Sequence, residues 1–279
     1  MYYNAESIGD LNDETPLPEH LRKGWKPTDM SALLYTSGST GLPKAVVVIR
    51  GREMAVGHSI SRYLRLKPSD RFYTCMPLYH GAAHALLVLP SIHTGNTIVL
   101  SRKFSHSKFW PEVRASKANI IQYVGELCRY LVNAPPSPLD KEHHVEMAFG
   151  NGLRPDIWEK FRERFGIPVI YELYAATDGL TFSFNENRGD FTKFAIGRRG
   201  IIHRMLRGRV DVLVKIDPDT EDILRDENGF AMKCKIGEPG EAIHQIDPQN
   251  PDAAFQGYFK NKAAGDKRKI KNVFRKGDL

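Results

Sequence analysis

The 279-residue chain has only three cysteines, Cys75, Cys128 and Cys234. They lie far apart and form no C-x-x-C pair, which excludes a disulfide framework or a cysteine zinc site and points to a reducing compartment. No uninterrupted apolar run reaches about 18 residues, so no segment reads as a membrane-spanning helix. The first residues, Met1 to Glu6, have neither the basic nor the apolar region of a secretory signal. A Walker P-loop is missing too. In the stretch richest in phosphate donors, Pro43 precedes Lys44 and Ala45 follows it, where a P-loop needs Gly and then Ser or Thr to hold magnesium.

Acidic residues are in the minority. Lys and Arg number 40 against 33 Asp and Glu, a net charge of +7, and much of the excess falls in Lys260–Lys276. Such a tail can meet nucleic acid, anionic lipid or a nucleotide, or remain a solvated face. Its cations are not interleaved with a stacking platform, so no nucleic-acid partner is expected. A hydrophobic content of 41% and a charged content of 26% are ordinary for a globular protein of one large or two medium domains.

What is present centres on Leu34–Lys44, reading LYTSGSTGLPK. Thr36, Ser37, Gly38, Ser39, Thr40 and Gly41 lie between two strand-like apolar runs, Ala32–Tyr35 and Ala45–Ile49. Open backbone N–H groups, several hydroxyls and the Lys44 cation are the parts needed to wrap a polyphosphate. The alternative is a surface turn rich in small residues.

Tyr35–Lys44 resembles the signature loop of the adenylate-forming, or AMP-binding, superfamily. Two further stretches resemble its branch of fatty acid transport proteins and very-long-chain acyl-CoA synthetases: Arg102–Ser105 with Phe109-Trp110, and Gln122–Leu131, reading QYVGELCRYL. The resemblance implies that the loop holds the β- and γ-phosphates of ATP while a carboxylate attacks the α-phosphate.

In chain order, residues 1–30 are turn-rich and read as a lead-in. Glu53–Leu66 shows helical periodicity, and Arg71–Met76 reads as a strand. His80 and His84 stand four apart, but Gly81 replaces the Glu that a zincin needs. The resemblance instead places Tyr79 and His80 between nucleotide and acyl sites, with Tyr123 and Gly125 on the acyl side. Met147–Arg154 is a strand end running into Gly150-Asn151-Gly152, where small residues let a flat ring approach the backbone. An ordinary strand-to-helix turn is the alternative. Val169–Tyr174 reads as a strand delivering Glu172, Tyr174, Thr177 and Asp178 to its end, where Tyr174 can stack on a base, Thr177 can donate to an α-phosphate and Asp178 can hold magnesium. The resembled motif is Tyr-Gly-x-Thr-Glu. Here Ala175 replaces the Gly, and Asp178, one methylene shorter, replaces the Glu.

Strands alternating with helical runs predict an α/β fold with a largely parallel sheet flanked by helices, at residues 31–196. From Gly197 short strands and turn signals predict a small β-rich, barrel-like subdomain at 197–279. The resemblance implies an incomplete N-terminal domain, truncated at both ends. Neither the ribose-binding Thr-Gly-Asp nor the mobile C-terminal domain is reached, and Asp278 does not stand for the former.

The function expected is a long- or very-long-chain fatty acyl-CoA synthetase with ATP, Mg2+ and CoA. Its catalytic residues would be Thr177, Asp178 and Lys44. The resemblance further implies an intracellular setting at an endoplasmic reticulum, peroxisome or lipid-droplet surface, with peripheral membrane association. Two alternatives stay open: a CoA ligase for another carboxylate, and a non-catalytic fragment that binds ATP or acyl chains.

Overall fold

The computed structural model describes residues 18–21, 23–36, 42–208, 210–249 and 255–279. Strand β1 (Met30–Thr36) and strand β2 (Lys44–Ile49) form an antiparallel hairpin that brings Thr36 opposite Lys44. Ser37, Gly38, Ser39, Thr40 and Gly41, the middle of the expected phosphate loop, lie outside the described residues.

Helix α1 (Arg50–Leu64) follows β2 directly and ends at Arg65, in the left-handed region at φ 55°. Next come β3 (Arg71–Thr74), then a helical run made of α2 (Gly81–Ala83), one π-turn (His84–Val88) and α3 (Leu89–Thr94). β4 (Thr97–Leu100), α4 (Phe109–Ala115), β5 (Ile120–Val124), α5 (Gly125–Asn133), β6 (Met147–Asn151), α6 (Pro155–Phe165), β7 (Val169–Ala175) and β8 (Phe182–Asn187) complete the α/β part. Helix α6 starts on Pro155 and is closed by left-handed Gly166, the usual asymmetry of helix ends.

The six strands order as β4-β3-β5-β6-β7-β8. All neighbours are parallel except β8, which runs antiparallel along β7. The inner parallel strands β3, β5, β6 and β7 are largely buried on both faces, and consecutive residues therefore serve opposite cores. Ile121, Ala148 and Ile170 lie in register and join Trp158, Phe161 and Phe165 in one core. One residue earlier or later, Ile120, Phe149 and Tyr171 join Phe72, Leu87 and Leu64 in the other. This is the predicted α/β class, with helices on both faces.

Beyond residue 197 the texture differs from the expectation in one respect. A helix, α7 (Ile201–Arg207), comes first. Its apolar residues stand at i, i+1, i+4 and i+5, a helical spacing and not the period of two that a strand requires. The rest is β-rich: β9 (Asp211–Val214) pairs antiparallel with β10 (Glu241–His244). Isolated bridges join Val214 to Lys233, Ile216 to Ile223 and Arg225 to Ala231. A short helix, α8 (Lys262–Asp266), precedes the end. There Asp278 accepts from the backbone N–H groups of Val273, Phe274 and Arg275, so its carboxylate serves to close a loop.

Candidate active site

Three chain segments converge where β7 ends. The first is the hairpin. Residues 257–259 dock along β2, with Phe259 N–H donating to the Ala45 carbonyl at 2.8 Å and Val47 N–H to the Gly257 carbonyl at 3.1 Å. This sets the Tyr258 ring under the Lys44 ammonium, 5.4 Å from Nζ to ring centre, within cation–π range. Thr36 Oγ1 reaches the Lys44 carbonyl at 3.5 Å.

The second segment is the end of β7 itself. Tyr174 is 47% exposed, as a stacking platform must be. It lines, with Ala176, Asp178 and Gly179, an open cleft of about 1780 Å³ between the sheet and the β9–β10 lobe. That exceeds the roughly 300–1,000 Å³ of a shaped small-molecule pocket, so the cleft is a seam between two lobes. Lys267, Arg268, Lys269 and Arg275 form part of its wall, which turns the basic tail toward the cleft.

Asp178 is where the charges meet. Its Oδ2 accepts from the Tyr258 hydroxyl and lies 3.5 Å from the Arg268 guanidinium. Burial, and then the hydrogen bond to Asp178, pushes the Tyr258 phenol up to about 12, so it remains a donor at neutral pH. Arg52 on α1 donates to the Gly179 carbonyl at 2.9 Å. Burial lowers its pKa and the Asp178 charge opposes that.

The third segment carries Tyr79 and His80. Tyr79 is 83% exposed. His80 is the N-cap of α2, its Nδ1 accepting from Ala82 N–H at 3.2 Å, which assigns the proton of a neutral ring to Nε2. A Cβ on Gly81 would come within 3.2 Å of Thr177 Oγ1, so the His80 loop and Thr177 are in close contact. His84 turns away from His80 and pairs with Glu53 at 2.6 Å.

The remaining expected residues form a different layer. Glu172 is fully buried beneath the Gly-Asn-Gly turn. It accepts from the Tyr123 hydroxyl, from Gly152 N–H and from Leu153 N–H at 3.3 Å. Burial outweighs these donors and pushes its carboxyl up to about 7. Tyr123 also reaches the Tyr171 carbonyl at 3.2 Å. The glycines here are required by the fold itself. A Cβ on Gly150 would fall 2.1 Å from the Tyr123 carbonyl oxygen, and one on Gly125 only 1.7 Å from that of Gly152. Glu172, Tyr123, Gly125 and Gly150 therefore brace the turn from below, while Asn151 ends β6 at its rim.

Among the described residues no group of three or more His, Cys, Asp or Glu could cage a metal ion. Magnesium needs none, because it keeps several waters and takes one or two carboxylates plus substrate phosphates. Asp178, with one oxygen held by Tyr258, fits that donor set. Sequence reading missed Tyr258, Arg268 and Arg52. Only the density of cations in Lys260–Lys276 pointed that way.

Residues 3–241 match the AMP-binding enzyme family. The chain belongs to that family. It is 54% identical over 278 residues to a very long-chain fatty acid transport protein of Cochliobolus heterostrophus, covering 100% of this chain and 43% of the relative. It is 39% identical over 251 residues to a medium/long-chain-fatty-acid–CoA ligase, FadD6, of Mycobacterium tuberculosis, covering 90% of this chain and 40% of the ligase. The resemblance to the transport-protein branch is thereby borne out. The chain spans about two fifths of the length of these relatives. Among solved structures it is similar to ATP-bound MatB from Rhodopseudomonas palustris, with a TM-score of 0.66 at 19% identity over 87% of this chain and 44% of that one. At that identity the similarity bears on the fold. No helix among the described residues is long and apolar enough to cross a membrane.

Proposed function

We propose that the chain binds Mg-ATP in the cleft at the end of β7 and adenylates a fatty carboxylate, the first half of an acyl-CoA synthetase reaction. The observation that carries this is the chain of contacts from Lys44 to Tyr258 to Asp178, with Arg268 on the same carboxylate, beside the cleft that Tyr174 lines. The named relatives, a fatty acid transport protein and a fatty-acid–CoA ligase, support the choice of acid, and the ATP-bound structural neighbour supports the nucleotide.

In this reading a substrate carboxylate oxygen attacks the α-phosphorus of ATP, the bond to the β-phosphate oxygen breaks, and acyl-AMP and pyrophosphate result. A CoA thiol would then displace AMP. Tyr174 stacks on the adenine. Lys44, with Ser37, Gly38, Ser39, Thr40 and Gly41, holds the departing phosphates, and Thr177 donates to the α-phosphate. The chemistry asked of these groups is positioning and charge stabilisation. Bound magnesium would neutralise phosphate charge beside Asp178. Arg268 and Arg52 balance the Asp178 carboxylate, and His80 with Tyr79 faces the acid. We read 31–196 as the AMP-binding core and 197–279 as its β-rich partner lobe.

One feature favours a second reading, nucleotide binding without turnover: Asp178 is already engaged by Tyr258 and Arg268. Calorimetric titration with Mg-ATP tests the site common to both readings. Lys44→Ala combined with Ser37→Ala should abolish binding, and retained affinity in the double variant would remove the hairpin from the site.

A further inference from the structure

A second cavity, of about 830 Å³, opens between the end of α1 and strand β8, within the roughly 300–1,000 Å³ of a shaped small-molecule pocket. Ser183 and Arg199 line both it and the cleft, but it contains neither Tyr174 nor Asp178. Its apolar lining is entirely aromatic: Tyr63, Phe182, Phe184 and Phe191, with no aliphatic side chain. Three of these rings follow one another as a floor, Tyr63 4.7 Å from Phe184 and Phe184 5.4 Å from Phe182. Phe182 is 53% and Phe191 76% exposed, so two large rings meet solvent.

The charges around this pocket are unequally satisfied. Glu186 is held by Arg188 at 2.7 Å and approached by Arg65 at 3.7 Å, and Asp190 is held by Lys193 at 3.0 Å. Arg198 has no acidic partner among the described residues. Its guanidinium lies instead over the Phe191 ring, 5.2 Å from the centre. The walls are fixed in advance. Buried Asn185 donates to the carbonyls of Thr192 and Ala195 at 2.8 Å, and buried Asn187 to those of Gly189 at 2.8 Å and Phe191 at 2.9 Å. Arg198 N–H donates to the Phe184 carbonyl at 2.8 Å. A site held this way loses little freedom when a ligand enters.

We infer that this pocket binds a planar aromatic anion, a ring bearing one carboxylate or phosphate, with the ring on Phe182 and Phe191 and the anion on Arg198. Offset or edge-on rings attract one another beyond the area they bury, and the arginine fork matches a carboxylate or phosphate with two parallel bonds. An acyl chain calls for the aliphatic lining that is missing here. A cation would have to displace Arg188 or Lys193 from its acid. The inference goes beyond adenylation and uses none of the groups assigned to it.

The test is calorimetric titration of the full chain with naphthoate, an aryl carboxylate. Saturable binding is expected. Arg198→Gln should weaken it at least about tenfold, as for a lost hydrogen bond to a charged group, and Phe191→Ser by about threefold or more. Circular dichroism should not change, because both side chains are exposed. AMP is the second probe, titrated into the chain carrying Lys44→Ala and Ser37→Ala. AMP binding there that Arg198→Gln removes would name a nucleoside monophosphate as the occupant, and naphthoate binding without it an aryl carboxylate. Failure of both probes to bind would overturn the inference, as would binding that either Arg198→Gln or Phe191→Ser leaves unchanged. Dodecanoate that displaces naphthoate and binds more tightly would also overturn it, by naming an acyl chain as the occupant.

Discussion

The Tyr258 hydroxyl donates to Oδ2 of Asp178 across 80 residues of chain. Tyr258 reaches that position because residues 257–259 are bonded to β2, and the same placement puts its ring beneath Lys44. One aromatic side chain thus links the phosphate hairpin to the carboxylate read as the magnesium ligand. In that reading it would compete with the metal for that oxygen while keeping the carboxylate oriented.

Removing the competing donor should make the carboxylate more available. A hydrogen bond to a charged acceptor is worth about 1.5–3 kcal/mol, so part of that strength appears as easier metal binding. Tyr258→Phe is expected to lower the magnesium concentration for half-maximal ATP binding by about fivefold, read by calorimetry over a magnesium series. An unchanged or higher requirement would separate Tyr258 from the metal site. Asp178→Glu restores the longer side chain and should raise adenylation, and an unchanged or lower rate would contradict this role for Asp178.

Glu172 makes the stability of the fold depend on pH. Its folded carboxyl, raised to about 7 from 4.5, holds its proton longer than it does in the unfolded chain. The native state therefore binds more protons between those values, and stability falls as pH rises through that window. The contribution is full below about pH 4.5 and is lost by about pH 7, on the order of 3 kcal/mol. Urea unfolding from pH 5 to 8 should show this decline, flattened in Glu172→Gln, whose amide oxygen still accepts from Gly152. A decline just as steep in the variant would assign it to other groups.

Gly125 is the first residue of helix α5, a position that alanine ordinarily accepts. Here the added Cβ would fall 1.7 Å from the Gly152 carbonyl oxygen, a backbone atom that cannot step aside alone. The clash dominates, and Gly125→Ala should destabilise by about 3 kcal/mol. Gly189→Ala is the control, since a Cβ there meets nothing within 4 Å. Denaturation midpoints for the pair check the prediction, and equal midpoints would contradict it.

The fold was legible where chemistry is local. Apolar runs ending in turn residues marked β6 and β7, the period of 53–66 marked α1, and the apolar runs 32–35 and 45–49 marked the strands that flank Thr36–Lys44. What stayed hidden depends on partners distant in sequence. Nothing near Tyr258 announces its contact with Asp178, and nothing near Arg268 its approach to the same carboxylate. Because β7 is buried on both faces, its composition gave no sign that Glu172 lies beneath the turn while Tyr174 reaches the cleft. Gly150 read as room for a flat ring, and the structure supplies the nearer cause, the Tyr123 carbonyl. Helix α7 was overlooked because the turn signals on either side of it suggested strands.

Fatty-acid-dependent exchange of pyrophosphate into ATP tests adenylation most directly, because it requires the acyl-AMP to form reversibly and needs no CoA. The folded 279-residue chain should exchange above background only when a long-chain fatty acid and magnesium are both present, and Lys44→Ala combined with Ser37→Ala should abolish the signal. A folded chain that binds ATP but exchanges nothing with any fatty acid would contradict adenylation and leave a nucleotide-binding protein.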